Sequence, residues 1–232
     1  MTDETNMAQT PEPTLQQSML RAGIGLGLFA ILTAGAIALT QTATKEQIAT
    51  QVKASQLRSL AQIVPAELHD NDLIADSFTL AANAALGLSA DAEAFIARKD
   101  GAVTALILPI VAPEGYTGPI RLVMAITPEG KIQGVRVIEH KETPGLGDKI
   151  EVRKSPWILG FDGKSLREPD EAGWKVKKDG GQFDQMTGAT ITPRAIVKSI
   201  HAALTFFEQH REKLLSAQAG SRVVLESSDG TK

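Results

Sequence analysis

Cysteine is absent from the 232-residue sequence. That absence removes disulfides, thiolate metal sites, iron–sulfur ligation and cysteine nucleophiles together. A cysteine-free chain is compatible with an oxidising compartment without proving one. Histidine is scarce: His69, His140, His201 and His210 form neither an H-E-x-x-H nor a paired-His motif, so the ligand set of a zinc site is lacking. Aromatic residues make up 4% of the chain and the formal net charge is −3. Few rings to stack on bases and no basic excess to neutralise phosphates argue against a nucleic-acid partner. What remains is 43% hydrophobic and 22% charged, an ordinary globular composition. The length suggests one domain with appendages.

One long hydrophobic run exists. Ala22 to Leu39, AGIGLGLFAILTAGAIAL, is 18 residues without a charge. As a helix it spans about 27 Å, close to the hydrocarbon thickness of a bilayer. Arg21 is placed to snorkel at one end, and Thr40, Gln41 and Thr42 mark the other interface. Gly23, Gly25, Gly27 and Gly35 are costly in a water-soluble helix and tolerated in lipid. A single membrane anchor is the main reading. The rival is a cleaved signal peptide ending at Ala36-Ile37-Ala38, against which stand the acidic residues Asp3, Glu4 and Glu12 ahead of the run. Flanking charge leaves orientation open: Arg21 precedes the run, while Lys45, Lys53 and Arg58 follow it.

The organisation expected from these signals is a polar tail over 1–21, with residues 1–18 disordered, and a transmembrane helix over 22–39. A connecting amphipathic helix over 45–64 carries Ile48, Val52, Leu57, Leu60 and Val64 and is ended by Pro65. A domain over 66–217 follows, then a flexible tail over 218–232. Residues 66–87 read as a connecting region with a turn at Asp70-Asn71-Asp72. Ala102 to Val111 reads as a strand. IRLVMAI and KIQGVRVIEH flank Thr127-Pro128-Glu129-Gly130 and read as a β-hairpin, with Leu122, Met124 and Ile126 facing Val135, Val137 and Gln133. A short strand is expected at Trp174–Val176 and a helix from Pro193 to about Ala217. The fold class is α+β: one N-terminal transmembrane helix, then a largely antiparallel sheet packed by helices.

The stretch FDQMTGATITP, residues 183–193, places two hydroxyls on small-residue ground ahead of that last helix. Thr192 is an N-cap type of residue and Pro193 suits the first helical position. Thr187 to Thr190 would then lie one turn before a helix N-terminus, where free N–H groups and the macrodipole favour a phosphate. Gly188 and Ala189 leave room for a bulky group, and Asp184 is positioned to orient a donor or a metal ion. The bland alternative is a helix entry with capping hydroxyls. A threonine nucleophile would need an activating amine or base, which the motif does not supply. A P-loop is excluded, because no lysine follows the glycine in frame.

Asp184-Gln185-Met186-Thr187-Gly188-Ala189-Thr190 resembles the D-x-x-S/T-G-A-T/S flavinylation sequence. With its extension Ile191 to Val197, the segment VIEHKETPGLGDKI and the single N-terminal apolar helix, the chain resembles the G subunit of the Rnf electron transport complex. That family is related to the C subunit of the sodium-translocating NADH:quinone reductase. The resemblance implies an FMN-binding domain and an FMN joined by a phosphoester to Thr190. A separate flavin transferase would install it from FAD with magnesium, recognising Asp184, Thr187, Gly188 and Ala189. It also implies a second flavin-contacting segment, His140 to Gly147, in which Glu142 and Thr143 hydrogen-bond the ring's polar edge and Leu146 packs on its face. Without the resemblance that segment reads as a turn after a strand.

The implied role is an electron-relay subunit of a membrane-bound translocase coupling ferredoxin/NAD-type electron transfer to ion movement. Its partners would be the other Rnf-type subunits, and it would need no independent active site. The implied location is the cell inner membrane, single-pass, with the flavin domain on the periplasmic side and the tail in the cytoplasm. The competing function is a non-redox membrane-anchored periplasmic scaffold or assembly module in which TGAT is only a helix cap.

Overall fold

The computed structural model describes residues 15–226, with side chains 15, 17, 18, 46–59 and 62 outside the described set. The expected disordered tail therefore lies largely outside the described residues, but its end does not: helix α1 (Leu15–Ile63) begins before the apolar run. The chain divides into two compact units, Met1–Lys53 and Ala54–Lys232.

In the first unit, Met19–Lys45 is long and apolar enough to cross a membrane, with mean hydropathy 2.1 in its most apolar window and none of that window buried. Its large apolar side chains, such as Leu26, Ile31 and Leu39, stand exposed. The hydroxyls of Thr33 and Thr40 donate to carbonyls of their own helix, Phe29 and Ala36, so neither needs an outside acceptor.

In the second unit, six strands form one sheet: β1 (Ser77–Leu80), β2 (Ala92–Lys99), β3 (Ala102–Ala112), β4 (Ile120–Ile126), β5 (Ile132–Glu139) and β6 (Arg222–Val223). Their order is β5-β4-β3-β2-β1-β6, antiparallel except for the parallel β1–β6 pair. The expected hairpin forms as β4–β5, with Leu122 opposite Val137 and Met124 opposite Val135. A register shift after Ala125 pairs Ile126 with Ile132 rather than Gln133. Gly130 closes the turn at φ 84, its N–H bonded to the Thr127 carbonyl.

β3 is buried on both faces. Leu106, Leu108 and Ile110 point into the larger core under helix α2 (Ile191–Leu215), while Ala105 and Ile107 point the other way. That second face is closed by Leu60, Ile63 and Val64 from the end of α1. Gly134 is needed there: a Cβ would come within 2.9 Å of the Ile63 side chain.

Several expectations need correction. The 66–87 connection contains β1, and β2 follows it. Trp174–Val176 is not a strand: Val176 makes one isolated bridge to Phe183, and a 3-10 turn over Glu171–Gly173 leads into Trp174. The chain after 217 is not all tail, since β6 rejoins the sheet beside β1 and Leu225 is buried. Helix α2 starts at Ile191, two residues before its expected first position.

Candidate functional site

The segment before α2 is pinned by two buried apolar side chains, Phe183 and Met186. Between Met186 and Ala189 the chain makes a tight turn closed by the Ala189 N–H on the Met186 carbonyl, 3.1 Å. Gly188 takes φ 81 at its third position, a conformation that favours glycine. Thr187 and Gly188 are thereby exposed, while Ala189 and Thr190 are partly buried.

Thr190 is the N-cap of α2, displacing the expected Thr192. An N-cap threonine ordinarily accepts from the N–H of the second or third helical residue. Here the third residue is Pro193, which has no N–H, and Thr190 makes no side-chain capping bond. Its hydroxyl, like that of Thr187, has no hydrogen-bond partner among the described residues. Pro193 removes one of those two donors, and Thr190, at φ −88 and ψ −31 rather than in the extended conformation of a capping residue, does not engage the other, the Thr192 N–H.

Thr192 is fully buried, and its hydroxyl donates to Glu142 Oε2 in a short hydrogen bond. Glu142 is itself 4% exposed. Its Oε1 accepts from the Thr117 N–H at 3.1 Å and the Thr117 hydroxyl at 3.2 Å. One buried carboxylate thus ties the β3–β4 loop, the segment after β5 and the start of α2. Gly147 makes that approach possible, since a Cβ there would lie 2.8 Å from Glu142 Oε2.

The 142–148 segment is rigid by its own bonds. The Leu146 and Gly147 N–H groups donate to the Thr143 carbonyl, and Gly145 N–H donates to Asp148 Oδ1 at 2.8 Å. The Lys154 ammonium on Asp148 Oδ2 holds that carboxyl below the ordinary range. Upstream, Glu142 N–H donates to His140 Nδ1, so the Nε2–H faces Glu151 at 3.0 Å. Burial raises the Glu151 carboxyl, but hydrogen bonds from Lys154, Arg153 and His140 outweigh it and lower the pKa to about 2. Thr143 has a hydroxyl with no partner among the described residues. Leu146 is 42% exposed and reaches toward Gly188, whose added Cβ would lie 3.1 Å from Leu146 Cδ2. The two segments singled out in the sequence are therefore in contact.

Asp184 stands at the edge of this arrangement. Its carboxylate is largely exposed and pairs with Lys177, while its carbonyl accepts from the Trp157 indole at 2.6 Å. Beyond Thr190, Arg194 makes a two-pronged pair with Asp179, which lowers the Asp179 pKa. Thr117 and the Arg194–Asp179 pairing were missed by sequence reasoning. Thr117 lies 75 residues before Thr192, and the only local signal was its place between Gly115 and Gly118. Among the described residues no group of His, Asp and Glu side chains could hold a metal ion.

The arrangement suits an anionic, planar group tethered by a phosphate. It offers an unengaged hydroxyl at a helix N-terminus, a turn without side-chain bulk, and an exposed apolar side chain beside it. Comparison with known proteins gives two family matches: the FMN-binding domain over residues 115–205, and the RnfG N-terminal region over residues 7–63. A Pseudomonas aeruginosa (strain UCBPP-PA14) protein is 48% identical over 203 residues, covering 88% of this chain and 95% of its own. One from Cereibacter sphaeroides (strain ATCC 17029 / ATH 2.4.9) is 48% identical over 221 residues, with 93% and 97% covered. A Vibrio vulnificus (strain YJ016) protein is 45% identical over 194 residues, with 84% and 92% covered. Each is named as the G subunit of an ion-translocating oxidoreductase complex. At that identity, over nearly the whole length of both partners, this chain belongs to the G-subunit family of ion-translocating oxidoreductase complexes.

Proposed function

We propose that this chain is the electron-relay subunit of a membrane-bound complex that couples ferredoxin/NAD-type electron transfer to ion translocation, and that it carries FMN in phosphoester linkage to Thr190. The observation that carries this reading is the cap geometry: Thr190 occupies the N-cap of α2 with its hydroxyl unengaged by the helix. Loading is a group transfer within a separate flavin transferase, with magnesium. The Thr190 oxygen bonds to the FMN phosphorus of FAD, the bond to the adenylate breaks, AMP leaves and the threonine proton goes to solvent. Bound there, the flavin supplies the redox chemistry, and the protein supplies position, charge and shielding.

The chain's own residues divide that work. The N–H groups at the start of α2 face the phosphate's charge. Gly188 and Ala189 leave the approach clear, and Thr187 and Asp184 serve as the transferase's recognition edge. Thr143 offers a free hydroxyl to the ring's polar edge and Leu146 an apolar surface to its face. Glu142 spends its oxygens on Thr117 and Thr192, so it braces the site. The apolar part of α1 anchors the protein once in the inner membrane, with the flavin domain on the periplasmic side. Other subunits of the complex receive and deliver the electrons.

The test is coexpression with a flavin transferase, followed by denaturing electrophoresis. The wild-type band fluoresces under ultraviolet light. Thr190→Val is expected to abolish that fluorescence and Thr187→Val to weaken it. A Thr190→Val band as bright as wild type overturns the attachment site.

A further inference from the structure

A groove of about 640 Å³ opens beside Ile191 and follows one face of α2 as far as His201. It is large enough to bury a cofactor-sized ring. Its floor is apolar, with Ala195 and Val197 from α2 and Val176 and Trp174 opposite. At its far end Trp174 stacks on His201 at 5.3 Å between centroids and 26° between planes. Both rings carry unanswered polarity. The buried Trp174 indole N–H has no acceptor, and neither nitrogen of His201 has a hydrogen-bond partner among the described residues. Burial also lowers the His201 pKa, so the imidazole is neutral near pH 7. The wall charges are Lys175, Arg194 and Lys198 against Glu114 and Asp179, three positive minus two negative, a local excess of +1 in a chain of −3.

We propose that this groove is a second seat for the isoalloxazine ring. The ring tethered at Thr190 then exchanges between the Leu146 side and the Trp174–His201 side. The inference rests on the attachment proposed above. Three features carry it. The groove begins at the residue after the attachment point, and the ribityl chain gives the ring a reach of more than one helical turn, about 5.4 Å. The floor is aromatic and apolar, as a planar heterocycle requires. The Arg194–Asp179 and Lys198–Glu114 pairs cancel and Lys175 supplies the excess. That excess favours the added negative charge of a reduced ring, so the oxidised ring visits this seat and reduction shifts it further that way. One tether thus serves two electron partners placed on different sides of α2.

The full-length holoprotein in detergent is the sample. Tryptophan quenches flavin emission on close contact, so the wild-type fluorescence decay should contain a fast component. Trp174→Phe should remove that component and at least double the flavin emission yield. Trp157→Phe, whose indole lines the separate cavity beside Asp184, should keep it. An unaltered decay in Trp174→Phe overturns the proposal. A second measurement needs no change in the core: the His201 ring protons should shift in NMR spectra between Thr190→Val and the flavin-loaded wild type, with His69 as the unmoved reference. Identical His201 resonances overturn the second seat. A denatured wild-type band without fluorescence instead defeats the attachment itself, and is read on the same sample.

Discussion

At the residue scale, the candidate site is braced by side chains bonded to one another. Glu151 holds His140, and His140 holds the backbone N–H of Glu142. The Glu151 pKa falls from the ordinary 4.5 to about 2. The folded value is the lower one, so its stabilising contribution is complete above pH 4.5 and is lost as pH falls toward 2. Glu151→Gln should therefore be less stable than wild type by a constant margin at neutral pH, a margin that shrinks between pH 4.5 and 2 in denaturant titrations. A margin independent of pH throughout would reject the linkage. The sequence made Thr190 legible through small-residue context and resemblance, but not its capping register. A proline is harmless anywhere in the first turn of a helix, because no N–H there has an internal partner. Proline at the first and at the third position therefore look alike in sequence, and Thr192 rather than Thr190 reads as the cap. Glu142 reads as a ring contact through resemblance alone; its burial depends on Thr117 and Thr192, which are brought together only by the fold.

At the scale of elements, the legible strands were β3, read from its apolar run, and β4 and β5, read from alternation and a marked turn. β2 reads AEAFIARK, and its buried centre includes Ala94 and Ala97, whose weak hydrophobicity hides the period. β1 and β6 have four and two residues, too short for any period to show. Yet β6 matters: Thr79 and Ala81 donate to the carbonyls of Ser221 and Val223, and the buried Asn83 side chain donates to the Leu225 carbonyl at 2.9 Å. Ending the chain at Ala217 should leave these donors unsatisfied, at about 1–3 kcal/mol for each buried group. A drop of several degrees in melting temperature is expected by calorimetry, and Asn83→Ala should reproduce part of it. An unchanged melting temperature would mean that the seam contributes nothing.

For the whole molecule, the sheet needs a cover on each face, and the two covers come from opposite ends of the sequence. α2 supplies one. Leu60, Ile63 and Val64 supply the other, and each is no more than 2% exposed. A chain beginning at Ala54 should stay folded and need no detergent, because it keeps that cover and drops the apolar run. A chain beginning at Ala66 should lose roughly 5–9 kcal/mol of burial, a large part of the stability of an ordinary domain, and aggregate in size-exclusion chromatography. Equal behaviour of the two chains would refute the assignment. Amphipathic spacing made Leu60 and Val64 legible, but their target was not, because the sheet face they cover is assembled from β2, β3 and β4. The β6 seam also has a consequence for biogenesis. Residue 83 finds its acceptor 142 positions later. A nascent polypeptide emerging from the ribosome, or threading through a translocation channel, therefore keeps an open sheet edge until that late segment has arrived. Premature termination would yield a product with this edge unprotected, a natural target for quality-control proteases.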